Sequence, residues 1–188
     1  MELPADEIET IKYAALLHDI GKIGISENII NKPGKLTKEE YNIIKMHPQL
    51  GANIVSKINS LKKLVPLILS HHEWVNGSGY PLGLKGDEIP LGARIISVVD
   101  AFSTITSKRP YRDELSIDFA LKEIKKCAGE QFDAKVVAIF EKVIEEETKE
   151  KIQQREIKEA KKEKKRLRLH IDDENKEKRI IREEDFYS

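Results

Sequence analysis

The chain has 188 residues, of which 39% are hydrophobic and 35% charged, and its formal net charge is zero. This balance excludes a general attraction to nucleic acid polymers or membrane surfaces, and a single cysteine, Cys127, excludes an internal disulfide framework. The sequence contains no apolar run of about 20 residues and no signal-peptide pattern, so we expect no membrane insertion. We expect a cytoplasmic protein, or the cytoplasmic part of a larger one.

The spacing of apolar residues predicts an all-α globular part, residues 1–144, with about six or seven helices. The first helix is expected from Met1 to Leu17 with Asp6 as its N-cap. Thr37 and Glu40 form a capping box at the start of a later helix. Further helices are expected over 51–58, 61–72, 91–107, 117–127 and 134–143, where Ser116 and Asp133 cap the last two.

Between these helices, the stretch from Trp74 to Pro90 is rich in glycine and contains two prolines. Loops of this length in a compact domain are usually functional. Glycines let the backbone approach a ligand, and Tyr80 offers a ring for stacking and a hydroxyl for a hydrogen bond. A plain surface loop is the alternative.

Residues 145–188 have a different composition, because most are charged and acids and bases occur in equal number. Opposite charges recur at i,i+4 spacing, where each pair is worth about 0.2–0.5 kcal/mol. We expect a charged tail that is a solvated helix to about Leu169 and disordered from Asp172 onward. A coiled-coil helix is the alternative, although the apolar content of the heptads is poor.

Four of the five histidines lie in the globular part, at or near the ends of predicted helices, and aspartates accompany them. Asp100 stands inside an apolar helix, where a free carboxylate would be costly to bury and a metal ion would remove that cost. Exposure on the polar side of the helix is the alternative for Asp100. Imidazole and carboxylate without cysteine disfavour a structural zinc site and suit iron, manganese or zinc in catalysis. The candidate metal ligands are His18, Asp19, His47, His71, His72 and Asp100.

A histidine and aspartate cluster large enough for two metal ions suits phosphate ester hydrolysis. Metal ions lower the pKa of water and oppose the charge that develops at phosphorus. Lys22 follows His18-Asp19 closely and could hold a phosphate oxygen, with an ordinary exposed lysine as the alternative.

His18-Asp19 followed by a later aspartate is similar to the pattern of the HD hydrolase superfamily. The string HHEWVNGSGYP from His71 to Pro81 resembles the HD-GYP subfamily. The match covers residues from about 10 to 144 and continues through 83–86, 89–91, 93–95, 100–102, 109–112 and 129–133.

The resemblance implies an all-α phosphodiesterase that hydrolyses cyclic di-GMP to the linear dinucleotide or GMP, with two or three iron or manganese ions. It implies that His18, Asp19 and Asp100 serve one metal, that His47 and His71 serve the next with Asp19 bridging, and that His72 joins the cluster. It also implies that Lys22 contacts the scissile phosphate and that Gly79, Tyr80, Arg109 and Arg112 bind substrate. A signalling partner, such as a cyclase domain, and a homodimer are further possibilities.

The sequence departs from the family pattern in three places. The family's first metal histidine lies on a helix before the one ending in His18-Asp19, so we expect an N-terminally truncated domain or a first metal site that lacks a ligand. Asn76 and Ser103 stand where the family usually has aspartates. These departures leave two alternatives: a non-catalytic sensor or interaction module, and an HD phosphohydrolase acting on another cyclic dinucleotide or a nucleoside monophosphate.

Overall fold

The computed structural model describes residues 1–107 and 115–184, and within these ranges the regular elements are all helical. Three short 3₁₀-helices cover Ile20–Gly24, Asn59–Leu64 and Gly86–Glu88. With the one-turn helix Glu27–Ile30 set aside, seven α-helices remain among the described residues, which confirms the predicted fold class and helix number. The α-helices are α1 (Ala5–Leu17), α2 (Glu27–Ile30), α3 (Lys38–Ile44), α4 (His47–Ser56), α5 (Val65–Ser70), α6 (Leu91–Thr106), α7 (Ile117–Lys126) and α8 (Ala134–Glu184).

One hydrophobic core lies where α1, α4, α5 and α6 meet. Its buried members are Ala14, Val55, Leu64, Ile68 and Ile96. Each comes from a different element, so burying these side chains fixes the relative placement of the helix ends that carry the histidines.

A second core packs the other side of α6 against α7 and the start of α8. Its buried members are Val98, Ile124, Phe132, Val136 and Val137, and the rings of Phe102 and Phe140 meet edge to face at 5.1 Å. Because α6 contributes to both cores, the position of Asp100 along this helix is held from two sides.

The helix starts that carry sequence signals form as expected. Thr37 accepts a hydrogen bond from the Glu40 amide and Glu40 accepts one from the Thr37 amide, which completes the capping box. Ser116 accepts from the Phe119 amide, and Asp133 accepts from the amides of Lys135 and Val136. These bonds satisfy amides that the helix itself leaves unpaired.

Four expectations about helix boundaries are wrong. The helix expected over 51–58 begins earlier, at His47. The first helix begins at Ala5 after Pro4, and Asp6 lies in its first turn without capping it. The expected helix over 61–72 is divided into the 3₁₀-helix Asn59–Leu64 and α5, because Pro66 fits only a helix start. The last helix passes Val143 without a break and continues to Glu184, so the expected disorder from Asp172 is not found over 172–184.

The contacts within the chain separate one compact unit, Met1–Glu141, from a second that begins at Lys142. The first unit contains both cores and all of the candidate metal ligands. The described part of the second unit is the remainder of α8, and its residues from 142 to 159 are mostly exposed. Across the described ranges, no helix is both long enough and apolar enough to cross a membrane.

Candidate metal centre

His47 and His71 are brought together by the start of α4 and the end of α5. His47 is the first residue of α4, and its Nδ1 donates to the carbonyl of Ile44 at 2.8 Å. His71 follows the last residue of α5, and its Nδ1 donates to the carbonyl of Ile68 at 2.6 Å. A carbonyl can only accept, so both Nδ1 atoms carry the proton and a neutral ring presents its lone pair at Nε2. The two Nε2 atoms lie 3.2 Å apart.

His18 is oriented in the same way at the end of α1. Its Nδ1 donates to the carbonyl of Ala15 at 2.7 Å, which directs Nε2 into the centre of the cluster. There Nε2 lies 3.5 Å from Asp19 Oδ2 and 3.6 Å from Asp100 Oδ1. This Nε2 is buried and has no hydrogen-bond partner.

Asp19 lies between His18 and His47. Its Oδ1 is 3.3 Å from His47 Nε2, and its Oδ2 accepts a hydrogen bond from Lys22 Nζ. The close approach depends on Gly21, because a Cβ at this position would overlap the carbonyl of His47. A glycine two residues after Asp19 therefore lets the 3₁₀-helix lie directly against α4.

His72 adds a fourth imidazole and connects the cluster to the glycine-rich loop, residues 74–90. Its ring centroid lies 4.1 Å from that of His71 and 4.9 Å from that of His47. The Tyr80 ring stacks on it at 4.9 Å with an interplanar angle of 28°. Tyr80 is therefore in place to contact a ligand bound at the histidines.

Two sets of ligand-type atoms each lie within 4.8 Å of one another: His47, His71 and His72 form one, and His18, Asp19 and His71 form the other. His71 belongs to both. Asp100 joins through its approach to His18. The structure therefore brings together all six candidate metal ligands.

Burial keeps two of the rings neutral. It lowers the pKa of His71 to about 4 and that of His72 to about 3, and the neighbouring histidines act in the same direction. Burial also lowers the pKa of His47. Neutral imidazoles are the form that binds metals, so these histidines are ready to act as ligands near pH 7.

The two carboxylates stay ionised because their positively charged or hydrogen-bonding neighbours outweigh the effect of burial. Burial alone would raise the pKa of Asp19, but the hydrogen bond and charge of Lys22 outweigh it and the pKa is lowered. Burial likewise opposes ionisation of Asp100, and His18 outweighs it and lowers the pKa. For His18, burial acts to lower the pKa, but Asp100, the Ala15 carbonyl and Asp19 together raise it.

The residues present fit a divalent cation. Lone pairs of neutral imidazoles face one another at His47 and His71, and the orphaned Nε2 of His18 faces two carboxylate oxygens. Without a cation these acceptors have no donor, whereas a metal ion accepts electron pairs from all of them. Nitrogen and oxygen donors without sulfur suit iron, manganese and zinc.

The glycine-rich loop is organised by Glu73, to which the sequence assigned no role. Glu73 is 2% exposed, and its carboxylate accepts hydrogen bonds from the amides of Leu82, Gly83 and Leu84. The sequence signal that could have revealed this role is the position of the glutamate, directly after His71-His72 and before a glycine-rich stretch whose amides need an acceptor. Glu73 thereby folds the loop back on the residues that carry the histidines.

Among the residues expected to bind substrate, only two can be placed. Gly79 packs on backbone, since a Cβ there would overlap the amide of Trp74, and the Tyr80 amide donates to the carbonyl of His72 at 3.1 Å. Arg109 and Arg112 lie outside the described residues. Lys22 is paired with Asp19 at the edge of the cluster.

The two departures inside the motif occupy different surroundings. Asn76 donates from Nδ2 to Glu130 Oε2 at 2.9 Å and accepts from the Ser78 amide, so it connects the loop to the segment before α8. Ser103 lines a small cavity of about 170 Å³ together with His18 and Asp100. Only Ser103 therefore lies next to the candidate ligands.

Comparisons with known proteins show the family to which the chain belongs. A family model described as "HD domain" matches residues 1–136. A cyclic di-GMP phosphodiesterase of Thermotoga maritima is 43% identical over 143 residues, and the match covers 75% of this chain and 39% of that protein. A 3′3′-cGAMP-specific phosphodiesterase of Vibrio cholerae is 39% identical, with 71% and 29% covered.

A solved structure of an HD-GYP-type protein from Bdellovibrio bacteriovorus superposes with a TM-score of 0.59 at 20% identity, and the match covers 74% of this chain and 44% of that one. The chain belongs to the HD domain family, whose members are metal-dependent, and the resemblance read from its motifs is confirmed. It spans less than half the length of the relatives it matches.

Proposed function

We propose that this chain is a metal-dependent phosphodiesterase that hydrolyses cyclic di-GMP to the linear dinucleotide or GMP. The observation that carries the proposal is the convergence of four imidazoles and two carboxylates, in which the buried Nε2 of His18 faces two carboxylate oxygens beyond ordinary hydrogen-bond distance. The relatives named as cyclic dinucleotide phosphodiesterases support this reaction class. In this proposal residues 1–144 form the catalytic domain and residues 145–188 a charged tail, which is helical as far as Glu184.

We assign His18, Asp19 and Asp100 to one ion and His47 and His71 to a second. The two oxygens of Asp19 approach His47 and His18 separately, which supports a bridging role. His72 joins the cluster at the loop side and could serve a third ion. Iron or manganese suits this mixed donor set.

Bound divalent ions would lower the pKa of a water nucleophile and oppose the negative charge that develops at phosphorus. The protein supplies the rest. Asp19 orients the ammonium of Lys22 through their hydrogen bond, and this cation would offset charge on a phosphate oxygen. Tyr80 stacks on His72, and its hydroxyl is neutral because burial raises its pKa. Tyr80 would position the substrate. Arg109 and Arg112 would contact guanine or phosphate.

The second candidate substrate is 3′3′-cGAMP. A relative 39% identical is named as specific for it, and the two cyclic dinucleotides share the ring of two phosphates and two riboses. Both substrates would place one phosphate at the ions, and they differ in one base. The base contacts therefore decide between them.

The test is product analysis on protein loaded with Mn²⁺, or with Fe²⁺ without oxygen, using both cyclic dinucleotides. We expect wild type to release the linear dinucleotide, and Asp19→Asn to release none, because the variant keeps only one of the two oxygens that face His18 and His47. Binding of either cyclic dinucleotide with no product over hours would favour the non-catalytic sensor instead. A cytoplasmic location, a cyclase-domain partner and a homodimer stay predictions.

A further inference from the structure

Lys45 occupies an unusual position between two tyrosine rings. It is the C-cap of α3, two residues before His47, and it is half-buried. Its Nζ lies 4.8 Å from the centroid of the Tyr41 ring and 5.1 Å from that of the Tyr80 ring. Two cation–π contacts hold the ammonium in place.

The ammonium has no anionic partner in the part of the chain that the structure describes. No carboxylate there lies within ion-pair distance of Lys45 Nζ, and no acceptor forms a hydrogen bond with it. The aromatic rings position the charge without neutralising it, so its N–H donors remain available. Lys22 differs, because it already donates to Asp19.

A chain of ring contacts places this cation beside the candidate metal centre. The Tyr80 ring that contacts Lys45 also stacks on His72, with ring centroids 4.9 Å apart. The His72 ring in turn lies 4.9 Å from that of His47. The ammonium is therefore separated from the cluster by a single aromatic ring.

A cyclic dinucleotide carries two phosphates, and one ribose on either side of the ring separates them. If one phosphate is at the metal ions, the second is held close by and needs its own cation. We propose that Lys45 binds this second phosphate and so selects cyclic dinucleotides over esters with one phosphate. This inference rests on the proposed function and adds a substrate-binding residue to it.

The experiment compares Lys45→Met, which keeps the length of the side chain, with Lys45→Arg, which keeps the charge. Lys57→Met is the matched control, because Lys57 is exposed and lies at the other end of α4 from His47. The readouts are the KM and kcat of Mn²⁺-loaded protein for cyclic di-GMP, and kcat/KM for bis(p-nitrophenyl) phosphate, which has one phosphate. Where wild type binds cyclic di-GMP without hydrolysis, its Kd replaces the KM.

We expect Lys45→Met to raise the KM for cyclic di-GMP about tenfold, the size of one lost charge-assisted hydrogen bond, with kcat little changed. The variant should act on the single-phosphate ester as wild type does, and its KM should respond less to added salt. Lys45→Arg should stay within about threefold of wild type, since it retains the cation.

A Lys45→Met variant whose KM equals that of Lys57→Met overturns this inference and leaves the proposed function standing. Equal losses on both substrates, without rescue by arginine, also overturn it, because they indicate a structural role. A wild-type protein that neither binds nor hydrolyses cyclic di-GMP overturns the proposed function and this inference together.

Discussion

Lys22 Nζ donates a hydrogen bond to Asp19 Oδ2, which joins a cation to a carboxylate whose other oxygen faces His47. The pair is local, since Lys22 follows Asp19 by three residues around the 3₁₀-helix. A bound phosphate beside Asp19 would therefore meet a positive charge already held in position.

Lys22→Met should lower kcat for cyclic di-GMP about 100-fold, in the range for removing one electrostatic stabiliser of a transition state. The metal content should stay at the wild-type value, because Lys22 is not a ligand. Steady-state kinetics and elemental analysis measure both. Lys12→Met, at an exposed position of α1, is the control, and a Lys22→Met variant as fast as this control would remove Lys22 from the reaction.

Glu73→Ala should lower the free energy of unfolding by about 3 kcal/mol, because three amides that bond the carboxylate would be left without an acceptor. Glu73→Gln keeps one oxygen acceptor and should lose less. Urea denaturation measures the change. Glu39→Gln, at an exposed site on α3, should stay within about 0.5 kcal/mol of wild type. Glu73→Ala with unchanged stability would show that the loop does not depend on these bonds.

The stability of the metal-free protein should fall in mild acid. Burial lowers the pKa of His71 from 6.5 to about 4, so between these values the unfolded chain binds more protons than the folded one. The free energy of unfolding should therefore decrease as the pH falls below 6.5, by about 2 kcal/mol at pH 5 from His71 alone. The raised pKa of His18 acts in the other direction and only above pH 6.5.

Urea denaturation at pH 7 and pH 5 tests this expectation. The His71→Asn variant lacks the titrating ring and should show a smaller difference between the two values than wild type. Equal free energies for wild type at both pH values would contradict the neutral, buried state of His71.

Asn76→Asp would restore the residue usual in the family, yet it should destabilise this chain slightly. The Asn76 amide donates to Glu130, and an aspartate would place two carboxylates together. We expect a loss below about 1 kcal/mol, because the pair is exposed. The loss should vanish when Glu130→Gln is combined with Asn76→Asp. A double-mutant cycle by urea denaturation measures the coupling, and an equal loss with and without Glu130 would contradict the contact.

Local sequence signals predicted those parts of the fold that depend on neighbouring residues. The cap residues Thr37, Ser116 and Asp133 act as expected, because the amides they satisfy lie within three residues. Pro66 was overlooked, and the apolar run around it indicated one helix where there are two short ones. The composition of the tail predicted disorder from Asp172, whereas regular charge spacing supports helix to Glu184.

For the site, the sequence supplied the residue types and the family resemblance supplied their grouping. The orientation of three of the four rings depends on a carbonyl three residues earlier, at Ala15, Ile44 and Ile68, which a motif does not show. Glu73 and Lys45 were missed for a related reason. Glu73 bonds loop amides, and Lys45 contacts the ring of Tyr80, which is distant in the sequence. Such contacts follow only from the packed structure.

The most direct test counts the metal ions per chain by elemental analysis after loading with Mn²⁺ or Fe²⁺ and removing free metal. The account predicts at least two ions per chain in wild type and fewer in Asp19→Asn, because Asp19 approaches both His18 and His47. Wild type that retains no metal, or a variant that retains as much as wild type, would contradict the claim that these side chains form a metal centre.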